Sequence, residues 1–321
     1  MLAVTAVGAD ADDPLAVLEI GERPEPEPPQ GWATVTVRAA ALNHHDLWSL
    51  RGIGLAEERL PMILGCDAAG VDEDGNEVIV HAVIGSEDWR GDETLDPRRT
   101  LLSELHPGTL AERVAVPRRN LVLKPASLSF EAAACLPTAW LTAYRMLFVR
   151  AECKPGQTVL IQGAGGGVAC AAVALAAQAG VRAWVTSRDE AKRAAALELG
   201  ADAAFEPGAR LPEKVDAVLE TVGEATWKHS LRALKQGGTL VVAGATSGGA
   251  PSAELQRVFF LQLRVLGSTM GSRDELAALA RLLDVTGLRP RIDRELALAD
   301  ARDGFAAMAA GELIGKVVLT T

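Results

Sequence analysis

The chain has 321 residues, 49% of them hydrophobic, four cysteines and a formal net charge of -10. That length carries two ordinary domains with a core each, and the acidic balance excludes a general binder of nucleic acid or anionic membrane, which needs clustered Lys and Arg. No apolar run approaches the roughly 20 residues that span a bilayer, the start MLAVTAVGAD lacks the pattern of a secretion signal, and Cys66, Cys135, Cys153 and Cys170 show no CxxC pairing, so a cytoplasmic protein without disulfides is expected.

Residues 1–40 read as short strands and turns: alternation in Leu15–Ile20, a proline-rich connector Pro24–Pro29, then a strand Ala33–Ala39. AALNHHDLWSLRG, residues 40–52, has helical spacing, with Asn43, His44, His45, Asp46 and Trp48 crowded together. His44 and His45 are adjacent, so on a helix they point about 100° apart and at most one faces a given site. Leu60–Val71 reads as an apolar entry and a turn, with close backbone approach at Gly65 and Gly70 flanking Cys66 and Asp67. A β-rich piece Glu77–Ile84, a charged loop Gly85–Arg99, a strand in Gly108–Pro117 and Leu121–Leu123 complete the first block.

From Ser129 a helix-forming run broken by Pro137 leads to the most informative stretch, Val159–Leu199. Val159–Ile161 enters the glycine cluster Gly163, Gly165, Gly166 and Gly167, which opens into an alanine-rich helix ending at Gly180; a strand Val181–Thr186 and a helix Asp189–Leu199 follow. Strand, tight turn, helix and strand make a βαβ unit whose turn suits a dinucleotide pyrophosphate: glycines let the backbone approach the phosphates, and the helix start attracts the anion. Gly166, Gly167 and Val168 are the expected contacts, with Ala169 where a third glycine is common. NAD sites place an Asp or Glu at the end of the second strand; here stand Ser187 and Arg188, with Lys192 a turn later. These would pair with a 2′-phosphate, so NADPH is favoured; the alternative is that both cations are solvated and balance Asp189 and Glu190.

Alternation continues through strands Ala203–Phe205 and Ala217–Thr221, a helix Thr226–Leu234, a strand Thr239–Ala243 and a strand Arg264–Thr269, which implies a parallel, doubly wound sheet. Gly244, Ala245 and Thr246 follow a strand at its carboxyl end, where such sheets bind ligands. Helix Arg273–Leu283, strand Ile292–Leu298, helix Ala299–Ala309 and strand Lys316–Thr320 form the tail. The edge strand Arg264–Thr269 could pair with its copy, so a homodimer is expected.

Taken together, NxxD at Asn43–Asp46, Gly65-Cys66-Asp67-Ala68-Ala69-Gly70, Gly108–Glu112, Leu141-Thr142-Ala143-Tyr144, the glycine cluster and Gly315-Lys316-Val317-Val318-Leu319 resemble the motifs of the medium-chain dehydrogenase/reductase superfamily, in its zinc-independent, quinone oxidoreductase-like branch. The resemblance covers nearly the whole chain. It implies an α/β fold: a GroES-like β domain over residues 1–124 and 270–321, and a doubly wound, parallel-sheet Rossmann domain over 125–269. It further implies Asn43 as an amide donor near the reacting oxygen, with the alternative that it braces the local helix. Trp48, where many quinone reductases carry a Tyr, would stack on an acceptor or belong to the core, and Cys66 and Asp67 complete the expected catalytic group. Thr138, Thr142 and Lys316 join the glycine turn, Ser187, Arg188, Lys192 and Gly244–Thr246 as expected cofactor contacts.

Zinc alcohol dehydrogenases of the superfamily carry a Cys where this chain has Asn43, a His-Glu pair at Cys66-Asp67 and a thiolate at Thr138. Asn and Thr are poor zinc ligands, so no metal is expected. Without a Lewis acid, the charge left by hydride transfer is best spread over a conjugated oxygen. The expected reaction is therefore hydride transfer from NADPH to a quinone or activated enone. An enoyl or alkenal reductase, an NADPH-binding structural or regulatory protein with little turnover, and a zinc-dependent alcohol dehydrogenase are the alternatives.

Overall fold

The computed structural model describes residues 1–321, which divide into two units, Met1–Ala139 with Gly271–Thr321, and Trp140–Met270. In the first unit the alternating stretch Trp32–Ala41 forms the central strand of a seven-stranded sheet. It pairs antiparallel with Asp67–Asp72 along one side, and along the other with Arg113–Pro117 and then Lys316–Thr320. Residues from both ends of this division are thus one sheet. Ala41 lies opposite both Asp67 and Val318, so the register brings Asn43, Asp67 and Lys316 to one end of three neighbouring strands.

The prediction of a turn at Leu60–Val71 gives way here: Asp67–Asp72 is a strand, because Gly70 lets the chain pass so close to Thr36 that a Cβ would stand 2.1 Å from its carbonyl oxygen. The helix expected over 40–52 shortens to His44–Leu50, since the central strand runs on through Ala41. The helical run after Ser129 is four pieces: Phe130–Ala134, a π-turn Leu136–Trp140 around Pro137, Leu141–Tyr144 and a second π-turn Arg145–Arg150. Phe130–Ala134 belongs to the first unit, which moves its boundary from residue 124 to 139.

In the second unit, β1 (Thr158–Gln162), β2 (Arg182–Thr186), β3 (Ala203–Phe205), β4 (Val215–Glu220), β5 (Leu234–Val242) and β6 (Arg264–Gly267) form one parallel sheet in the order 3-2-1-4-5-6. This is the doubly wound Rossmann order, whose switch point lies between β1 and β4. The helices are α1 (Gly167–Gln178), α2 (Glu190–Glu198), α3 (Glu224–Ala233) and α4 (Leu255–Phe260). The sequence reading did not include α4, which has no fully buried residue and sets only Val258 against the core, too little for an apolar stripe.

Candidate functional site

β1 is buried throughout and ends at Gln162, after which Gly163, at φ +97°, turns the chain back. Its N–H donates to Thr186 O at 3.1 Å, tying the turn to the end of β2. Gly166 caps α1 with no side chain, and a Cβ on Gly163 or Gly166 would meet nothing within 4 Å. These glycines therefore leave space instead of relieving a clash, and the space lies before the unsatisfied N–H groups of a 12-residue helix. A diphosphate fits such a cradle. The thiol of Cys170, one turn into α1, donates to Ala164 O at 3.5 Å and Gly165 O at 3.6 Å and steadies the turn from below. Nothing in the sequence spacing marks Cys170 for this.

At the end of β2 the local carboxylate, though exposed, is engaged by backbone N–H groups. Asp189 accepts from the N–H groups of Ala191 at 2.8 Å and Lys192 at 3.2 Å, capping α2, and its own N–H donates to Ser187 Oγ at 3.2 Å. Arg193, not singled out in the sequence, donates to Ser187 O at 2.5 Å, while Arg188 is exposed and Lys192 half-buried. Ser187 thus has the Arg193 guanidinium on its carbonyl and is followed in the chain by Arg188 and Lys192. That arrangement fits a 2′-phosphate.

Gly244, Ala245 and Thr246 follow β5 and are laced to the loop after β4: Ala243 N donates to Glu220 O at 2.9 Å and Ser247 N to Val222 O at 2.7 Å. Gly223, at φ +92°, allows this, since a Cβ there would lie 2.5 Å from Gly248 O. Thr142 is buried in Leu141–Tyr144 of the same unit.

In the first unit Asn43, Asp67 and Lys316 form a closed group, 8%, 0% and 3% exposed. The Lys316 ammonium donates to Leu42 O and Asn43 Oδ1, both at 2.6 Å, and to Asp67 Oδ2 at 3.1 Å. Asn43 Nδ2 donates to Asp67 Oδ2 at 2.8 Å and to Ala41 O at 3.3 Å. Burial raises the Asp67 pKa, against the pull of Lys316, Thr138 and Asn43. Two expectations change. Lys316 has no donor to offer a cofactor, because all three N–H bonds go to this group, and Asn43 holds both amide hydrogens within the protein. The Thr138 hydroxyl lies against Asp67 without forming a full hydrogen bond, which leaves Thr138 Oγ1 and Asp67 Oδ1 buried and unpartnered.

Asp46 accepts from Asn43 N at 2.8 Å and Gly65 N at 3.1 Å, so it fixes the local backbone. Cys66 is 1% exposed; its thiol donates to Leu102 O at 3.4 Å and lies 3.6 Å from His45 Nδ1, while His45 Nε2 is 3.0 Å from Glu104. Burial raises the pKa of Cys66, keeping it a thiol. Burial also opposes charge on His45, but the Asp46 and Glu104 carboxylates beside it outweigh that and raise its pKa. Trp48 is half-buried beside His44, ring centroids 6.5 Å apart.

This donor set does not suit zinc. A protonated thiol, an amide and a hydroxyl replace thiolate and imidazole, and the one carboxylate already holds an ammonium. No three or more His, Cys, Asp or Glu side chains are arranged to hold a metal ion.

Residues 29–126 match the family model of the alcohol dehydrogenase GroES-like domain, and residues 167–284 that of zinc-binding dehydrogenases. A solved NAD-dependent alcohol dehydrogenase is 33% identical, with a TM-score of 0.90 and full coverage of both chains. The acryloyl-coenzyme A reductase of Metallosphaera sedula is 29% identical over 94% of this chain and 96% of its own. A 2-octenoyl-CoA carboxylase reductase, solved with NADP and 2-octenoyl-CoA, is 25% identical with a TM-score of 0.90 over 99% of this chain and 87% of that one. The chain belongs to the medium-chain dehydrogenase/reductase superfamily, with a GroES-like domain and a Rossmann domain, and its relatives are oxidoreductases.

Proposed function

We propose that the protein is an NADPH-dependent reductase that transfers hydride to the activated C=C bond of an α,β-unsaturated carbonyl compound, without a catalytic metal. The observation that carries this is the open glycine turn at the switch point of the sheet, followed at the end of β2 by Ser187 with Arg188 and Lys192 in place of a ribose-binding carboxylate. NADPH, when bound, supplies the hydride. The N–H groups of Gly167 and Val168 would hold its pyrophosphate across Gly163, Gly165 and Gly166, and the hydroxyl and cations at Ser187, Arg188 and Lys192 its 2′-phosphate. Gly244–Thr246, at the carboxyl end of β5, and Thr142 would border its nicotinamide half.

Conjugation spreads the negative charge left on the substrate over its carbonyl oxygen, so hydrogen bonds suffice to stabilise it. Asn43 can serve there if its longer bond, 3.3 Å to Ala41 O, is exchanged for one to the substrate. Lys316 and Asp67 would then orient that amide, Asp67 not reacting itself. Cys66 has the placement of a small buried residue, and Trp48 that of an aromatic wall.

An unsaturated acyl thioester is favoured over a quinone by the relatives that reduce acryloyl-CoA and act on 2-octenoyl-CoA. A quinone, a small alkenal, an alcohol for a relative named as an alcohol dehydrogenase, and binding with little turnover are the competing readings. Titration of NADPH and NADH, with Arg188→Ala beside the native chain, tests the cofactor. Failure of both nucleotides to bind overturns the proposal. Oxidation of NADPH with crotonyl-CoA but not with quinones or with no acceptor supports the substrate class, and oxidation with none leaves the binding-only reading in its place.

A homodimer belongs to the same proposal. β6 is an outer strand of the sheet, and Phe259 and Phe260 stack beside it with 61% and 72% of their surface exposed. A monomer in light scattering would remove this part. The four free, buried cysteines support a cytoplasmic location, and no helix is long and apolar enough to cross a membrane.

A further inference from the structure

A chain of buried side chains runs beneath the glycine turn. Thr186, the last residue of β2, donates through Oγ1 to Gln162 Oε1 at 2.5 Å; Gln162 Nε2 donates to Ser230 Oγ at 2.9 Å and to His229 Nδ1 at 3.1 Å; Ser230 Oγ donates to Glu220 Oε2 at 2.6 Å. Glu220, fully buried with no cation against it, also accepts from Thr226 Oγ1 at 2.9 Å and from the N–H groups of Val222 and Gly223 at 2.8 and 3.0 Å. His229 Nε2 lies 3.0 Å from Ala209 O. A carbonyl only accepts, so Nε2 carries the proton and Nδ1 is the acceptor that the Gln162 amide needs.

Every donor in this chain is used once, and the direction of each bond follows from the next. Neutral His229 makes Gln162 Nε2 face it, which turns Gln162 Oε1 toward Thr186. Gln162 immediately precedes Gly163, whose backbone N–H also bonds to Thr186, and Thr186 adjoins Ser187. The turn that would hold the pyrophosphate and the arm that would hold the 2′-phosphate are therefore tied twice. We propose that Gln162 is a positioning residue for the nucleotide, with its amide orientation set by neutral His229, so that protonation of His229 weakens NADPH binding. The inference rests on the nucleotide reading given above.

A proton on Nδ1 would set N–H against N–H. Turning the Gln162 amide relieves that contact but places its Nε2 against Thr186 and its oxygen toward Ser230 and His229, which withdraws the acceptor from the end of β2. Burial lowers the His229 pKa; Glu220 and the Ala209 carbonyl act in the opposite sense and Lys214 in the same one. The ring is half-buried, so a proton can reach it from solvent.

The test is NADPH titration at about pH 8 and about pH 5.5, around the usual His range, with the native chain, His229→Asn and Gln162→Glu. The 2′-phosphate titrates in the same window in all three, so the comparison lies between their slopes. The native chain should lose about five-fold more affinity on acidification than His229→Asn, the effect of one displaced hydrogen bond. Gln162→Glu should reverse that excess, because a carboxylate welcomes the imidazolium; a residue that only fills space would produce no reversal. Equal slopes in the native chain and His229→Asn overturn the inference while leaving the nucleotide site intact. Absence of NADPH binding at both pH values overturns the nucleotide reading and this inference with it. Should Gln162→Glu fail to fold by circular dichroism, the imidazole nitrogen resonances of the native chain decide: a proton on Nε2 at neutral pH supports the arrangement and one on Nδ1 overturns it.

Discussion

Gly70 and Gly166 are both glycines in sharply bent or closely packed backbone, yet the surroundings of one are the reverse of the other. A Cβ at Gly70 would strike Thr36 O at 2.1 Å, whereas one at Gly166 would meet no protein atom within 4 Å. The first belongs to the sheet that carries Asn43, Asp67 and Lys316, where polar groups are nearly all partnered to one another. The second belongs to a helix start whose N–H groups have no partner in the chain. A glycine demanded by packing marks structure; one demanded by nothing in the protein marks room for something outside it. The same contrast separates the charges: Lys316 is enclosed, Arg188 exposed.

The contrast is most severely tested at Asp67. Asp67→Ala leaves the Lys316 ammonium buried with only Leu42 O and Asn43 Oδ1, and breaking a buried pair on one side costs about 3–5 kcal/mol. Urea unfolding of this variant should show a loss of that order, and a loss below about 1 kcal/mol would mean that water reaches the group. Lys316→Met with Asp67→Ala should recover part of the loss, because neither charge is then stranded.

Gly166→Ala and Gly70→Ala sharpen it further. Overpacking at Gly70 should destabilise by about 1–3 kcal/mol. Gly166 has φ -73°, which alanine adopts freely, so its substitution should leave unfolding within about 0.5 kcal/mol of native. It should nevertheless weaken NADPH binding by about ten-fold or more, since the methyl group takes the space of a phosphate oxygen. Unchanged affinity would show that the nucleotide does not lie over this turn. Arg188→Ala should act on preference alone, lowering the NADPH-to-NADH affinity ratio by about ten-fold, as loss of a charge-assisted bond does, with NADH binding unmoved.

The second unit was legible because its determinants are local. A βαβ unit is written in consecutive residues, and glycines, strand apolarity and the residues at the tip of β2 lie within one stretch, Val159–Leu199. The first unit's centre was not legible in that way. Its three members come from positions 43, 67 and 316, joined only by the register of Ala41 against Asp67 and Val318, and no spacing along the chain encodes a pairing across 249 residues. Asn43 and Lys316 were therefore placed by resemblance as ligand-facing groups, and the structure turns them toward each other. Gln162 and His229 escaped notice for a related reason: one ends an apolar strand and the other sits midway along α3, and only the parallel pairing of β1 with β4 sets them side by side. The helix α4, without a fully buried residue, carried no periodic signal to read.

The smallest effect expected is the dependence of stability on mild acid, and its sign separates buried histidines from buried carboxylates. Burial lowers the pKa of His229 and of His106, the latter with Arg59 adding to the effect. Between those lowered values and the ordinary 6.5 the unfolded chain binds protons that the folded chain does not, so stability is complete above that range and declines as pH falls through it. Each group contributes a slope no steeper than about 1.4 kcal/mol per pH unit. Asp67 acts in the opposite sense, because burial raises its pKa and the folded chain takes up its proton first. Asp72, Glu93, Asp96 and Asp216, all held low by their partners, lose their contribution only in stronger acid. Unfolding measured from about pH 8 to about pH 5 on the native chain and on His106→Asn with His229→Asn isolates these two histidines: the double variant should be flatter or should slope the other way, as the raised pKa values of Asp67 and His45 require. Coincident curves would mean that both imidazoles titrate in the folded protein as they do in water, and the burial that lowers the His229 pKa beneath the glycine turn would fail with them.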